Sequence, residues 1–231
     1  VAVQGIAQDY ITLFVAIPIL LTSFYFATKN NLKAKLILSG TLLYFLLTYL
    51  FYIAIALYNE IFLIAIITLF CSLFAFILNI ISFDFIEVKS FFSNQKTIHR
   101  ASIFLIIIAT MMSLLWLSII IPPMLDGSFY PKELHHYSTL IVQGYDLGIF
   151  LPFAFISGVL GIQRNEYAYV FVPTYLIFLI ILMVALVSKI VFMAHIGENV
   201  IPVIFIIPTI LVIAIFFAIK VFRGIKTKAY L

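Results

Sequence analysis

Apolar residues fill seven long stretches of this chain, and short polar connections separate them. A helix needs about 20 mostly apolar residues to cross a bilayer. The stretches lack the alternating polarity of a membrane β-barrel. In lipid, the backbone of a continuous apolar segment can satisfy its own hydrogen bonds only as a helix. We therefore predict an all-α fold, a seven-transmembrane-helix bundle in a single integral membrane domain over residues 1–231. The predicted helices, numbered 1 to 7, are Tyr10–Thr28, Leu36–Tyr58, Ile61–Phe83, Ala101–Ile121, Tyr137–Gly161, Tyr167–Ala194 and Val200–Phe222.

Composition excludes several classes of protein. Of the 231 residues, 65% are hydrophobic and 10% are charged, whereas soluble domains are about 45–50% apolar and about 25% charged. A cytosolic enzyme, a secreted disulfide scaffold and a disordered chain are therefore not expected. The single cysteine, Cys71, cannot form an internal disulfide and is predicted to be a packing residue.

Basic residues predict the orientation of the bundle. Eleven of the thirteen fall on one side of the predicted helices, whereas only Lys132 falls on the other and Lys189 lies within helix 6. The positive-inside rule then places the N-terminus outside and the C-terminus in the cytoplasm of a multi-pass inner-membrane protein. The net charge of +4 becomes a topology signal, so a nucleic-acid partner is not expected. The eleven are Lys29, Lys33, Lys35, Lys89, Lys96, Arg100, Arg164, Lys220, Arg223, Lys226 and Lys228.

Two charged side chains, Asp146 and Lys189, lie inside predicted helices 5 and 6. Each costs about 2.5–3.5 kcal/mol at a helix centre. We therefore expect the two side chains to form an ion pair or to line one water-filled cavity. The sequence leaves open whether such a pair is structural or belongs to a binding or coupling site.

Polar residues concentrate in the outer halves of helices 1, 2, 5 and 6, and the inner halves are nearly pure hydrocarbon. This asymmetry predicts a polar pocket that opens to the outside. The alternative is an interfacial tyrosine belt with hydrogen bonds between helices. The candidate ligand-binding residues are Asp9, Tyr49, Tyr52, Glu60, His136, Gln143, Asp146 and Lys189.

No cofactor or metal is predicted. The sequence has no phosphate loop, HExxH or GxSxG motif, and helix 7 lacks the lysine that retinal would need. A metal site built from His136, His195 and an outer carboxylate is a minor alternative.

The connection from Pro122 to His136 contains Pro-Pro and Asp-Gly turn signals. Because proline interrupts a helix, we expect this connection to be the least regular external segment and no helix to continue through Pro122 and Pro123.

Helices 1 and 5 share a short pattern. Gln8-Asp9-Tyr10 precedes Pro18, and Gln143-Gly144-Tyr145-Asp146 precedes Pro152. The pattern is consistent with a weak 3+1+3 parallel repeat with helix 4 as linker, a layout that some transporters use, and a chance match is the alternative because the pattern is short and gapped. Asp9 and Asp146 would then be equivalent groups across one cavity.

The same residues carry a resemblance. Gln8-Asp9 with Thr12-Leu13 and Pro18, and His136-Tyr137 with Thr139-Leu140, Gln143 and Asp146-Leu147-Gly148, resemble a group of bacterial multi-pass membrane proteins whose function is uncharacterised. This resemblance implies a seven-helix membrane protein and no activity, substrate or cofactor.

Three functions remain open from the sequence. The favoured one is recognition or transport of a small polar or cationic solute at the outward pocket. The second is a membrane-embedded enzyme that acts on a lipid-linked substrate, with His136 and Asp146 as acid–base residues. The third is a non-catalytic subunit or scaffold for another membrane protein. The lipid bilayer is the partner common to all three.

Overall fold

The computed structural model describes residues 2–56, 58–128, 130–131, 134 and 139–226. Seven of the helices in this part of the chain are long and apolar enough to cross a membrane, which confirms the predicted seven-helix bundle. A short helix, Phe85–Ser90, joins helices 3 and 4. The seven helices are Ala2–Ile11 continued by Thr12–Ala16 and Ile17–Ala27, then Leu32–Ile55, Phe62–Ile81, Gln95–Leu125, Ile141–Tyr145 continued by Asp146–Phe150 and Leu151–Ile162, then Ala168–His195 and Val203–Arg223.

Helices 2 and 6 form the centre of the bundle. They pack against each other, helix 2 also contacts helices 1 and 3, and helix 6 also contacts helices 1, 5 and 7. Their large side chains are fully buried, for example Tyr44 on helix 2 and Phe178 on helix 6. Peripheral helix 3 instead exposes Phe70 and Phe74, as expected where lipid is the solvent.

Helix 4 packs closely on helix 5 because helix 5 presents glycine at the contact. A Cβ atom on Gly161 would lie 1.9 Å from the hydroxyl oxygen of Ser102, and one on Gly158 would lie 2.8 Å from the Ser102 carbonyl. Small residues allow membrane helices to approach in this way, and packing then replaces the missing hydrophobic driving force. Helix 4 is therefore fixed to the second half of the bundle.

The basic connections meet at one end of the bundle, which we call the basic end. The amino group of Lys35 donates to a carbonyl at the end of helix 3 (2.8 Å), and that of Lys89 donates to the carbonyl of Arg164 (2.8 Å). The backbone of Ser93 pairs with Gly224 after helix 7 (2.9 Å). The opposite end, which carries Asp126, is called the acidic end.

Helix 4 continues through Pro122 and Pro123 to Leu125, so the expectation that these prolines prevent a continuous helix was wrong. The prolines lie in the last turns, where only a few carbonyls lose a partner, and membrane helices tolerate proline when neighbouring groups compensate. The Asp126 amide donates to the carbonyl of Pro122 (3.0 Å), and Gly127 ends the helix with a φ of 78°.

Candidate functional site

A buried hydrogen-bonded cluster joins helices 1 and 2 in the half of the bundle near the acidic end. The side-chain amide of Gln8 donates to the Tyr44 hydroxyl (2.7 Å) and to the Thr48 hydroxyl (3.2 Å). The Thr12 hydroxyl donates to the Gln8 carbonyl (2.9 Å) and lies 3.0 Å from the Tyr44 hydroxyl. These four residues form the helix 1–2 cluster, and all four are buried.

One hydrogen-bond acceptor in the cluster has no donor among the described residues. The side-chain carbonyl oxygen of Gln8 is buried and has no hydrogen-bond partner among the described residues. Leaving such a group unsatisfied costs about 1–3 kcal/mol. Buried polar atoms are otherwise nearly always paired, so this oxygen is an acceptor for a donor from outside the described residues.

Three predicted ligand-binding residues lie together beside the cluster. The Tyr52 hydroxyl donates to the carboxylate of Asp9, which links the acidic ends of helices 2 and 1. The ring of Tyr49 packs against that of Tyr52 with centroids 5.7 Å apart. The structure therefore brings Asp9, Tyr49 and Tyr52 together.

Asp146 lies in a second polar site on the other side of the bundle. The indole N–H of Trp116, on helix 4, donates to its carboxylate (2.9 Å). The described residues contain no cation that forms an ion pair with Asp146, so its charge is compensated only by hydrogen bonding.

The expected ion pair between Asp146 and Lys189 does not form between these two described residues, because the two side chains lie at different depths. Phe150 stacks on Phe178 with centroids 5.6 Å apart, which sets the level of helix 5 against helix 6. Lys189 lies about 16 Å from Phe178 along helix 6, whereas Asp146 lies about 6 Å from Phe150, at about 1.5 Å per residue. The two charges are thus offset by about 10 Å along the bundle.

The other predicted site residues are more scattered. Gln143 is half-buried on helix 5, Glu60 is exposed between helices 2 and 3, and Lys189 is half-buried near the acidic end of helix 6. His136 lies outside the described residues, and His195 is exposed where helix 6 ends. In the described part of the chain, no three His, Cys, Asp or Glu side chains are placed to hold a metal ion.

The polar side chains near the acidic end bond mainly with one another. Two cavities stand out among the described residues, and neither is lined by the helix 1–2 cluster, Asp9 or Asp146. The open outward pocket therefore remains a prediction. Hydrogen bonding between helices, which the sequence offered as its alternative, accounts for Gln8, Tyr44 and Thr48.

Negative charge persists at the acidic end itself. Hydrogen bonds from Ser128, through its side chain and its backbone N–H, hold the pKa of exposed Asp126 below its ordinary value. Asp9, Glu60 and Glu198 are also exposed at this end. Like charges around an entrance raise the local concentration of cations.

Helices 1 and 5 are broken at corresponding places. Each contains a five-residue π-helical turn, Thr12–Ala16 in helix 1 and Asp146–Phe150 in helix 5. A proline follows two residues after each turn, and Pro18 and Pro152 are separated by the same 134 positions as Thr12 and Asp146. π-Helical turns are rare and occur frequently at functional sites.

The same separation continues beyond the broken helices. Asn30 and Arg164, also 134 positions apart, both have a φ of 57° in the turns that follow. Gly40 and Thr174 correspond by the same rule, and a Cβ atom on Gly40 would lie 2.6 Å from the Thr174 carbonyl oxygen. Residues 134 positions apart are thus in contact between helices 2 and 6, as a pseudo-twofold axis between these two helices would require.

The constant separation of 134 positions corrects one equivalence that was expected from the sequence. Asp146 corresponds to Thr12, and Asp9 corresponds to Gln143, so Asp9 and Asp146 are not equivalent. The sequence pattern misaligned them because it matched side-chain types, whereas the π turns and the prolines fix the register. Trp116 was missed altogether, although the only tryptophan in the chain, placed within a membrane helix, was a usable signal.

Comparison with known proteins found no matching family model, no matching curated protein and no matching solved structure.

Proposed function

We propose that this integral membrane protein recognises a small polar or cationic solute that enters from the acidic end, and transports it between two three-helix repeats. The observation that carries the proposal is the pair of π-helical turns at corresponding positions of helices 1 and 5. In transporters built from repeats, interrupted helices at matching positions of the two halves point to the binding site.

The polar groups beside the two turns define the chemistry of the solute. Thr12 begins the turn in helix 1 and belongs to the helix 1–2 cluster, where the Gln8 carbonyl oxygen can accept a hydrogen bond. Asp146 begins the turn in helix 5, and a carboxylate within a membrane that has no ion-pair partner among the described residues favours a cation nearby. One side of the proposed site thus offers an acceptor and the other a negative charge. A small amine or a hydroxyl-bearing cation has hydrogen-bond donors that suit either group.

The pseudo-twofold axis supplies a route for alternating access. Helices 2 and 6 touch along the axis, and the broken helices flank them. Rocking of one repeat against the other about this contact would expose the space between the turns to each end in sequence. Helix 4 would move with the second repeat because it packs on helix 5 through Ser102.

Flux through liposomes that contain the purified full chain tests this proposal. The probes are radiolabelled ethanolamine, choline, putrescine and glycerol. We expect at least one probe to enter faster than into protein-free liposomes, and Asp146→Asn to reduce its rate about tenfold, the effect of about 1.4 kcal/mol.

Glu87→Gln is the matched control, because it removes an exposed carboxylate at the opposite, basic end of the bundle and should leave the rate nearly unchanged. Flux no faster than through protein-free liposomes for all four probes would overturn the proposal. Unchanged flux in a double variant that carries both Asp146→Asn and Gln8→Leu would also overturn the proposal.

A further inference from the structure

A cavity of about 540 Å³ opens at the basic end, on the side of the bundle opposite to the proposed solute entrance. It lies between the start of helix 4 and the turn that joins helices 5 and 6. No carboxylate of the described residues lines it. The lining residues are Ser93, Asn94, Gln95, Lys96, His99 and Arg164.

The basic side chains of this cavity have no partner in the described part of the chain. Lys96, His99 and Arg164 form no side-chain hydrogen bond and no ion pair with any described residue. The positive-inside rule explains why this end of the bundle carries positive charge. It does not explain why Lys96 and Arg164, which come from two separate elements, line one cavity, where the repulsion between their charges is unfavourable.

Arg164 also occupies a backbone position that does not suit it. Its φ of 57° lies in the left-handed region, which glycine and asparagine adopt more readily than long side chains do. The corresponding turn of the first repeat has Asn30 at this position. Because the turn itself favours asparagine, the guanidinium of Arg164 is the feature that requires an explanation. Lys89 fixes the residue by donating to its carbonyl (2.8 Å).

We propose that this cavity binds a phosphate group, carried either by a lipid headgroup or by a soluble phosphate compound. A guanidinium bonds phosphate through two parallel N–H donors, and an ammonium adds a point charge. The side-chain amides of Asn94 and Gln95 offer further N–H donors around the same space, whereas the Ser93 hydroxyl already donates to the Gly224 carbonyl (2.9 Å). Basic cavities between membrane helices on the positive side also accept anionic headgroups.

Binding to the delipidated full chain in detergent micelles tests the proposal. Inorganic phosphate is titrated calorimetrically, and dioctanoyl phosphatidic acid is titrated and counted by native mass spectrometry. We expect one saturable site for at least one probe. Arg164→Asn should weaken it about tenfold, as the loss of one charged hydrogen-bonded contact implies.

Arg164→Asn is informative because asparagine suits the left-handed turn, so the thermal stability of the chain should not fall. Arg100→Gln is the matched control, since it removes an exposed positive charge from the same start of helix 4 without lining the cavity. Lys96→Gln is a second cavity variant that leaves the turn unchanged, and it should also weaken binding.

The two probes separate the sources of the phosphate. Saturable binding of inorganic phosphate that depends on Arg164 indicates a soluble compound. Binding of phosphatidic acid alone, with the same dependence, indicates a lipid headgroup. The proposal is overturned if neither probe binds, or if Arg100→Gln weakens binding as much as Arg164→Asn does, because diffuse surface charge would then account for it.

Discussion

Replacing Gly40 with alanine perturbs the close contact between helices 2 and 6. The added Cβ atom would lie 2.6 Å from the carbonyl oxygen of Thr174 and 2.6 Å from the Cβ atom of Ile177. Neither atom can move away by a change of rotamer, because one belongs to the backbone and the other is attached directly to it. Helices 2 and 6 must therefore separate to accept the methyl group.

Two opposing effects set the change in the free energy of unfolding. Ordinary contact begins near 3.4 Å, so the helices must part by about 0.8 Å at Gly40. Overpacking of this kind costs about 1–3 kcal/mol. Alanine gains up to about 1 kcal/mol over glycine from helix propensity. We expect the clash to win and the free energy of unfolding to fall by about 1–2 kcal/mol.

Unfolding by SDS in mixed micelles, followed by circular dichroism, measures this difference. Gly144→Ala is the control, since nothing lies within 4 Å of a Cβ atom placed there and only the propensity gain applies. The two variants should therefore shift the unfolding midpoint in opposite directions. A Gly40→Ala chain as stable as wild type, or more stable, would refute the close approach of helices 2 and 6 at this residue.

Three further predictions follow from the orientation and the buried polar groups. On intact cells in a cysteine-free background, a cysteine that replaces Asp126 should react with an impermeant thiol reagent, and one that replaces Lys226 should not. The reverse labelling pattern would contradict the predicted orientation. Tyr44→Phe removes the hydroxyl at the centre of the helix 1–2 cluster and should cost about 1–2 kcal/mol in the micelle assay, whereas unchanged stability would contradict the cluster. Trp116→Phe removes the donor to the Asp146 carboxylate and should also destabilise by about 1–2 kcal/mol, but it should be neutral in an Asp146→Leu background.

The sequence by itself determined the class of protein, the number of helices and the end at which each polar connection lies. These properties depend on the hydropathy of each segment and on the charges of each connection, and both can be evaluated one segment at a time. The spacing of Tyr49 and Tyr52 on helix 2 also correctly placed their side chains near each other.

Only the tertiary structure decided which helices touch, at what depth and in which register. Lipid is as apolar as a neighbouring helix, so the hydrophobic pattern does not say which face packs on which partner. The depth of Asp146 against Lys189 depends on the stacking of Phe150 on Phe178, which no single-helix pattern contains. The equivalence of Thr12 and Asp146 depends on two π-helical turns, which arise where local backbone geometry and packing together admit one extra residue per turn.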